Sequence, residues 1–244
     1  MLALATGEPE PTDDASPQSA ASYLVIGAGG LGCPALLGLV GGGARRISIV
    51  DGDVVSLDNL PRQVLYAGSD VGAPKVDAAR WALRPAKVEI ETFSQKLDPA
   101  ELPAWLDEHA NPETIVLECS DSPRLKFAVH DACVARGLRV VVGGVVGWHG
   151  QAMAVDPRRP DTACYRCVFE APPPRELTPA CAEVGVANTA AGTVGHAMAL
   201  LAMTAELAGV CLHFDLLRAT VRRLAPKPRP DCPTCNRNLV SSPA

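Results

Sequence analysis

From residue 22 onward, short apolar runs alternate with stretches of helical period. Tyr23–Ile26, Ile47–Val50, Val88–Phe93, Thr114–Glu118 and Leu138–Val142 are short and rich in aliphatic residues. Runs of this length, bounded by glycine or polar residues, predict strands buried on both faces. Leu31–Val40, Lys75–Leu83, Pro99–His109 and Pro123–Arg136 lie between them and predict helices. Gly41–Gly43 stop the first helix, and Arg84, which precedes a proline, closes the second. Pro123 suits the first turn of the fourth. The Gly143–Gly144 pair is expected to end the fifth strand. The β-α alternation predicts an α/β fold: a Rossmann-like, mostly parallel, doubly wound sheet.

After Gly150 the pattern changes. Gln151–Val155 reads as a strand, 171–179 as a proline-rich crossing loop, and Ala190–Leu207 as a long apolar helix. Leu212–Leu217 and Thr220–Leu224 read as two strands with a tight turn between them, so the sheet is expected to finish antiparallel. Residues 1–21, rich in Pro, Ser, Ala and acid, have no hydrophobic period and are expected to form a disordered tail. Residues 22–236 are expected to form one domain and 237–244 a short tail.

Gly27-Ala28-Gly29-Gly30-Leu31-Gly32 follows the first strand and opens the first helix. This is the G-x-G-x-x-G pattern in its required context. Such glycines let the backbone approach a phosphate, and the helix start supplies oriented N–H groups. Asp51 lies 19 residues beyond Gly32, at the end of the second strand, where an acid meets a ribose. The motif alone leaves NAD, FAD and ATP open. No G-x-x-x-x-G-K-[ST] occurs, which excludes a P-loop.

The residues after Asp51 narrow the choice. Asp58, Asn59, Arg62 and Gln63 are expected beyond the carboxyl end of the second strand, and Lys75 starts the next helix. That rim is where open α/β sheets bind ligands. Arg and Lys there suit a triphosphate, whose chemistry is mainly positioning and charge neutralisation. The fourth strand ends in Glu118-Cys119-Ser120-Asp121, so Asp121 faces the same rim and can hold Mg²⁺ against phosphates. Hydride transfer by an NAD-dependent oxidoreductase needs none of these groups, so ATP is favoured over NAD.

Gly27–Gly32, Val50–Asp53, Asp58–Gln63 and Gly72–Lys75 occur in this order, and together they resemble the ThiF/MoeB/HesA adenylyltransferases, relatives of ubiquitin-activating enzymes. The resemblance runs from about Ser22 to Asn236. It implies ATP contacts at Gly30, Asp51, Asn59, Arg62, Lys75 and Asp121, with Mg²⁺ near Asp121. Gly27, Gly29, Gly32, Asp58, Gln63 and Ser122 complete the expected nucleotide site. The substrate it implies is the C-terminal Gly of a small ubiquitin-like sulfur-carrier protein, and the assembly a homodimer. The chain departs from the family pattern in places. It has no Lys or Arg before Arg45, where the family carries an arginine that reaches the partner subunit's nucleotide, and this leaves a non-catalytic nucleotide-binding relative of the family open as an alternative. The family's Asp-Asn pair is Asp121-Ser122 here, its later arginine aligns with Lys126, and its later asparagine aligns with His130. With no rhodanese-like domain in this sequence, a separate sulfur donor is expected.

Nine cysteines are present. Cys164-Tyr-Arg-Cys167 and Cys232-Pro-Thr-Cys235 form two C-x-x-C pairs, separated by 64 residues. Each pair offers two thiolates on one turn, and together they suit a tetrahedral, structural Zn²⁺ site. Cys181 follows the proline-rich loop. It matches the family segment whose cysteine, in some members, takes up an activated carboxylate or joins sulfur transfer. Its near neighbours include Glu183 and no Lys or His, which does not lower a thiol pKa. Cys33, Cys119, Cys133 and Cys211 lie in apolar segments and are expected in the core. None of the five histidines pairs with another at ligand spacing.

Composition then excludes several classes. The net charge of −5 argues against nucleic-acid binding, and 4% aromatic content argues against a base-stacking platform. No apolar run reaches membrane-spanning length, and the acidic first residues do not read as a secretory signal. A cytoplasmic protein is expected, with its cysteines read in a reducing compartment.

Overall fold

A computed structural model describes residues 21–174 and 185–235. The elements are β1 (Ser22–Ile26), α1 (Gly32–Gly41), β2 (Arg46–Val50), α2 (Lys75–Leu83), β3 (Glu89–Phe93), α3 (Leu102–His109), β4 (Thr114–Glu118), α4 (Pro123–Ala135), β5 (Arg139–Val146), β6 (His149–Val155), α5 (Tyr165–Val168), α6 (Asn188–Met203), β7 (Cys211–Asp215) and β8 (Thr220–Leu224). One eight-stranded sheet runs β3-β2-β1-β4-β5-β6-β7-β8. Strands β1 to β5 pair in parallel. The pairings β5–β6, β6–β7 and β7–β8 are antiparallel. The doubly wound sheet with an antiparallel finish is therefore present, with β1 between β2 and β4 at the switch point where such sheets open a crevice.

Two apolar layers flank the sheet. Tyr23, Val25, Ile47 and Ile49 point to the layer of α1, α2 and α6, while Leu24, Ile26 and Val116 point to that of α3 and α4. This is why the parallel strands read as continuous apolar runs rather than alternating ones. On the first face, α1 and α6 approach closely at glycine positions. A Cβ on Gly38 would meet that of Ala199, and one on Gly195 would meet Pro34. Helix α4 starts cleanly, because Ser122 Oγ accepts from Leu125 N at 3.3 Å and Pro123 takes the first position.

Several boundaries differ from expectation. Strand β5 does not stop at Gly143–Gly144 but continues to Val146, because those glycines pair with Ala152 and Gln151 of β6. The empty side of Gly143 is occupied by the Met198 side chain of α6. The long apolar helix ends at Met203 rather than Leu207: Thr204 is extended, and Ala205–Leu207 form a separate single turn. Helix α3 starts at Leu102 rather than Pro99. Ala21, expected as the last tail residue, is buried in the core. The remaining tail residues and most of the proline-rich loop, with Cys181, lie outside the described residues. Among the described residues, no helix is long and apolar enough to cross a membrane.

Candidate functional site

A cleft of about 920 Å³ opens at the carboxyl ends of β1, β2 and β4. Gly27 turns the chain out of β1 with φ +93°, and a Cβ there would lie 2.9 Å from Ser120 N. Only glycine fits both demands. Gly32 has a packing role, because a Cβ on it would collide with the Gly27 carbonyl. Gly27, Gly29 and Gly30 line the cleft. Asp51 holds this loop: its Oδ2 accepts from Ala28 N at 2.8 Å, and its Oδ1 accepts from Asp53 N at 2.8 Å. Each oxygen keeps a lone pair for a ligand hydroxyl. Tyr66 Oη donates to Ala28 O at 2.6 Å from below, and burial pushes that phenol pKa up.

Asn59 ends a 3₁₀ turn and organises the second wall. Its Oδ1 accepts from Arg62 Nη2 at 2.8 Å and from Gln63 Nε2 at 3.1 Å, while its Nδ2 donates to Ser56 Oγ. Gln63 is 4% exposed, and its Oε1 has no hydrogen-bond partner among the described residues. A buried orphan acceptor lining a cleft is a polar atom held ready for a ligand donor. Arg62 and Lys75 line the same cleft, as do Asp121 and Ser122, whereas Asp58 is exposed outside it and gives its carbonyl to Arg62 Nη1 at 3.1 Å.

Two lining residues were not singled out from sequence. Asp53 binds the buried Lys75 through Oδ2 at 3.1 Å and the exposed Lys96 through Oδ1 at 3.0 Å. The two ammonium groups hold the Asp53 carboxyl below its usual pKa, against the opposing effect of burial. Gly52 lets this happen, because a Cβ there would strike Lys96. The available signals were the acid two residues past Asp51 and a lysine just beyond the third strand, on the same rim.

Lys126 forms the back of the cleft. Its Nζ lies 2.6 Å from Glu118 Oε2 and also donates to Ser120 O, so it ties down the turn that presents Asp121. Burial pushes the Glu118 carboxyl pKa up, against the pull of Lys126 and the Ser120 hydrogen bonds. Lys126→Met would leave a fully buried carboxylate without its cation. We expect a loss of about 3 kcal/mol in urea unfolding. The double variant Lys126→Met, Glu118→Gln should lose less, and equal losses would show that the pair is not the source.

Away from the cleft, the four cysteines predicted to bind metal come together. The Sγ atoms of Cys164, Cys167, Cys232 and Cys235 all lie within 4.8 Å of one another. Cys164 is 3.8 Å from Cys167 and 3.5 Å from Cys232, and Cys167 is 3.4 Å from Cys235. Zinc–sulfur bonds of about 2.3 Å set tetrahedral sulfurs about 3.8 Å apart, so this donor set fits Zn²⁺. Four protein ligands would leave a bound ion no open position, the arrangement of a structural rather than a catalytic site. The other described cysteines, Cys33, Cys119, Cys133 and Cys211, are buried as expected. Burial pushes Cys33 up to about 11 and Cys133 up to about 12, far from a reactive thiolate.

The ThiF family model matches residues 12–234. The chain belongs to the ThiF family. Within it, the chain is 38% identical over 229 residues to a sulfur carrier protein adenylyltransferase of Thermus thermophilus, covering 88% of this chain and 82% of that protein. It is 34% identical to a SAMP-activating enzyme E1 of Haloferax volcanii, covering 90% and 82%. It is 37% identical to the adenylyltransferase and sulfurtransferase MOCS3 of Anopheles gambiae, covering 88% of this chain but 49% of that one, so it spans about half of that relative. The ThiF fold also appears in the likeness to a crystal structure of E. coli MccB with AMPCPP and MccA. There the TM-score is 0.73 at 18% identity, over 90% of this chain and 67% of the other.

Proposed function

We propose that this protein activates the C-terminal glycine carboxylate of a small ubiquitin-like sulfur-carrier protein by adenylation with ATP. The observation that carries the reading is the gathering of Arg62, Lys75, Lys96 and Lys126 around one glycine loop in a chain of the ThiF family. The names of the Thermus and Haloferax relatives support the same substrate class.

A carboxylate is a poor electrophile and needs a leaving group. One carboxylate oxygen attacks the α-phosphorus, and the bond to the bridging oxygen of the β-phosphate breaks. Pyrophosphate leaves with that electron pair, and an acyl-adenylate remains. Negative charge on the phosphoryl oxygens must be balanced during the displacement, and preorganised cations do this best. Arg62, fixed by Asn59, and Lys75, fixed by Asp53, are preorganised in that sense. The loop N–H groups at Gly29 and Gly30 hold phosphate, Asp51 takes the ribose, and Gln63 supplies its spare acceptor. Asp121 would hold Mg²⁺, which when bound adds positive charge at the phosphates. Gly144, Val145 and Val146 line the far wall without charge, which suits a thin Gly-Gly tail.

Cys181 as acceptor of the activated carboxylate, a homodimeric cytoplasmic enzyme and a separate sulfur donor complete the proposal. The test is ATP–pyrophosphate exchange with candidate carriers ending in Gly-Gly. Carrier-dependent exchange is expected, and it should survive Cys181→Ala, which separates adenylation from thiol chemistry. No exchange with any carrier would overturn the reading.

A further inference from the structure

The two C-x-x-C turns come from segments 64 residues apart, and zinc is not the only group that spans them. Asp131 of α4 reaches the middle of both. Arg166, between the cysteines of the first turn, donates Nε to Oδ1 and Oδ2 of Asp131 at 2.9 Å each and Nη2 to Oδ2 at 2.7 Å. Thr234, between the cysteines of the second turn, donates Oγ1 to Asp131 Oδ1 at 3.1 Å. The neighbouring His130 is fully buried, and its Nε2 accepts from Tyr165 N at 3.2 Å, beside Cys164. That bond leaves the ring proton on Nδ1, which faces Asp131 Oδ1 at 2.9 Å. One carboxylate thus carries a guanidinium from the first turn, a hydroxyl from the second and the N–H of its own helix neighbour His130, which in turn holds Tyr165 of the first turn.

We propose that Asp131 is the positioning residue of the cysteine cluster, holding both turns against α4 and thereby setting how long zinc stays bound. The sulfurs bind the metal only while the two turns face each other, and Asp131 fixes that facing from behind. Besides the contacts between the sulfurs themselves, Arg229 links the second segment to the first, its N donating to Cys167 Sγ at 3.3 Å and its guanidinium pairing with Glu170. Partners that orient metal ligands typically change metal affinity by about 10- to 100-fold. Residue His130, to which no role could be given from sequence, takes part as a spacer between α4 and the first turn.

The test is the rate at which zinc-loaded protein releases metal to a chromophoric chelator. Asp131→Ala is expected to release zinc about tenfold faster or more, and Asp131→Asn to fall between it and the parent. Thr234→Val should accelerate release less than Asp131→Ala, since it removes one bond. Gly38→Ala, which strains the α1–α6 contact away from the cluster, serves as the control for stability. If Gly38→Ala, at equal loss of thermal stability, releases zinc as fast as Asp131→Ala, the effect is general loosening and the proposal falls. Release from Asp131→Ala at the parent rate would also overturn it. The assay uses no ATP, so its failure is separate from that of adenylation. Purified parent protein that binds no zinc would overturn both the clamp and the zinc assignment.

Discussion

Replacing Lys75 with alanine is expected to slow carrier-dependent ATP–pyrophosphate exchange about 10³-fold, with little change in stability. Lys75 opens α2 beside the glycine loop, and its side chain is 7% exposed. Its backbone N–H donates to Asp53 O at 3.0 Å and its Nζ lies 3.1 Å from Asp53 Oδ2, so both ends of the residue are fixed. A cation already in place costs no reorganisation when charge builds on the phosphoryl oxygens, and single donors or cations of this kind contribute about 10²- to 10⁵-fold. The folded state loses much less. The Asp53 side chain is half-exposed and keeps Lys96 at 3.0 Å, so no buried carboxylate is stranded. Lys75→Arg keeps charge but not the fit beside Asp53, and should recover only part of the rate. Equal rates for Lys75→Ala and the parent would remove this lysine from the chemistry. A rate loss matched by an equally large fall in melting temperature would make it a folding residue instead.

The parallel half of the sheet and the glycine loop were legible because local rules decide them. A strand buried on both faces is apolar throughout, and Gly27, Gly29 and Gly30 stand between such a strand and a helix. Asp51, Asn59, Arg62, Gln63 and Lys75 could be placed on one rim because strand ends in a doubly wound sheet share a side. What stayed hidden depends on contacts far apart in sequence. Gly143 reads as a terminator until Met198, 55 residues later, fills the space beside it. Asp53 stands in the sequence only as the end of the Val50–Asp53 run, because its second cation, Lys96, comes from the loop after another strand. Asp131 carries no ligand spacing at all, and its role exists only once α4, Arg166 and Thr234 meet. The two C-x-x-C pairs were readable for the opposite reason: each is local, and four thiolates satisfy a tetrahedral metal wherever they meet.

Removing zinc by chelation, or substituting Cys232→Ser, is expected to free the segment from residue 226 to 235 while the sheet survives. Structural zinc contributes about 10–16 kcal/mol to the folding of zinc-finger peptides that have no other core. Here the α1–α2–α6 layer contains none of the four cysteines, and the α3–α4 layer includes Cys164 and Cys232 among many other apolar residues, so the loss is expected to centre on what the metal holds. That part is thinly attached. After β8, whose five residues are all exposed, the chain returns to the domain through the buried Cys232, through Cys235 on Cys167, through Arg229 on Cys167 Sγ and Glu170, and through Thr234 on Asp131. In amide hydrogen exchange, the 226–235 segment and the turn at Cys164–Cys167 should lose protection, and Tyr23–Ile26 should keep it. The nucleotide cleft includes no residue of the cluster, so ATP affinity should change less than about threefold, a shift of the size expected between uncoupled sites. Loss of protection across β1, β2 and β4 would show instead that the metal supports the whole domain. Unchanged protection at 226–235 would show that this segment is held without it.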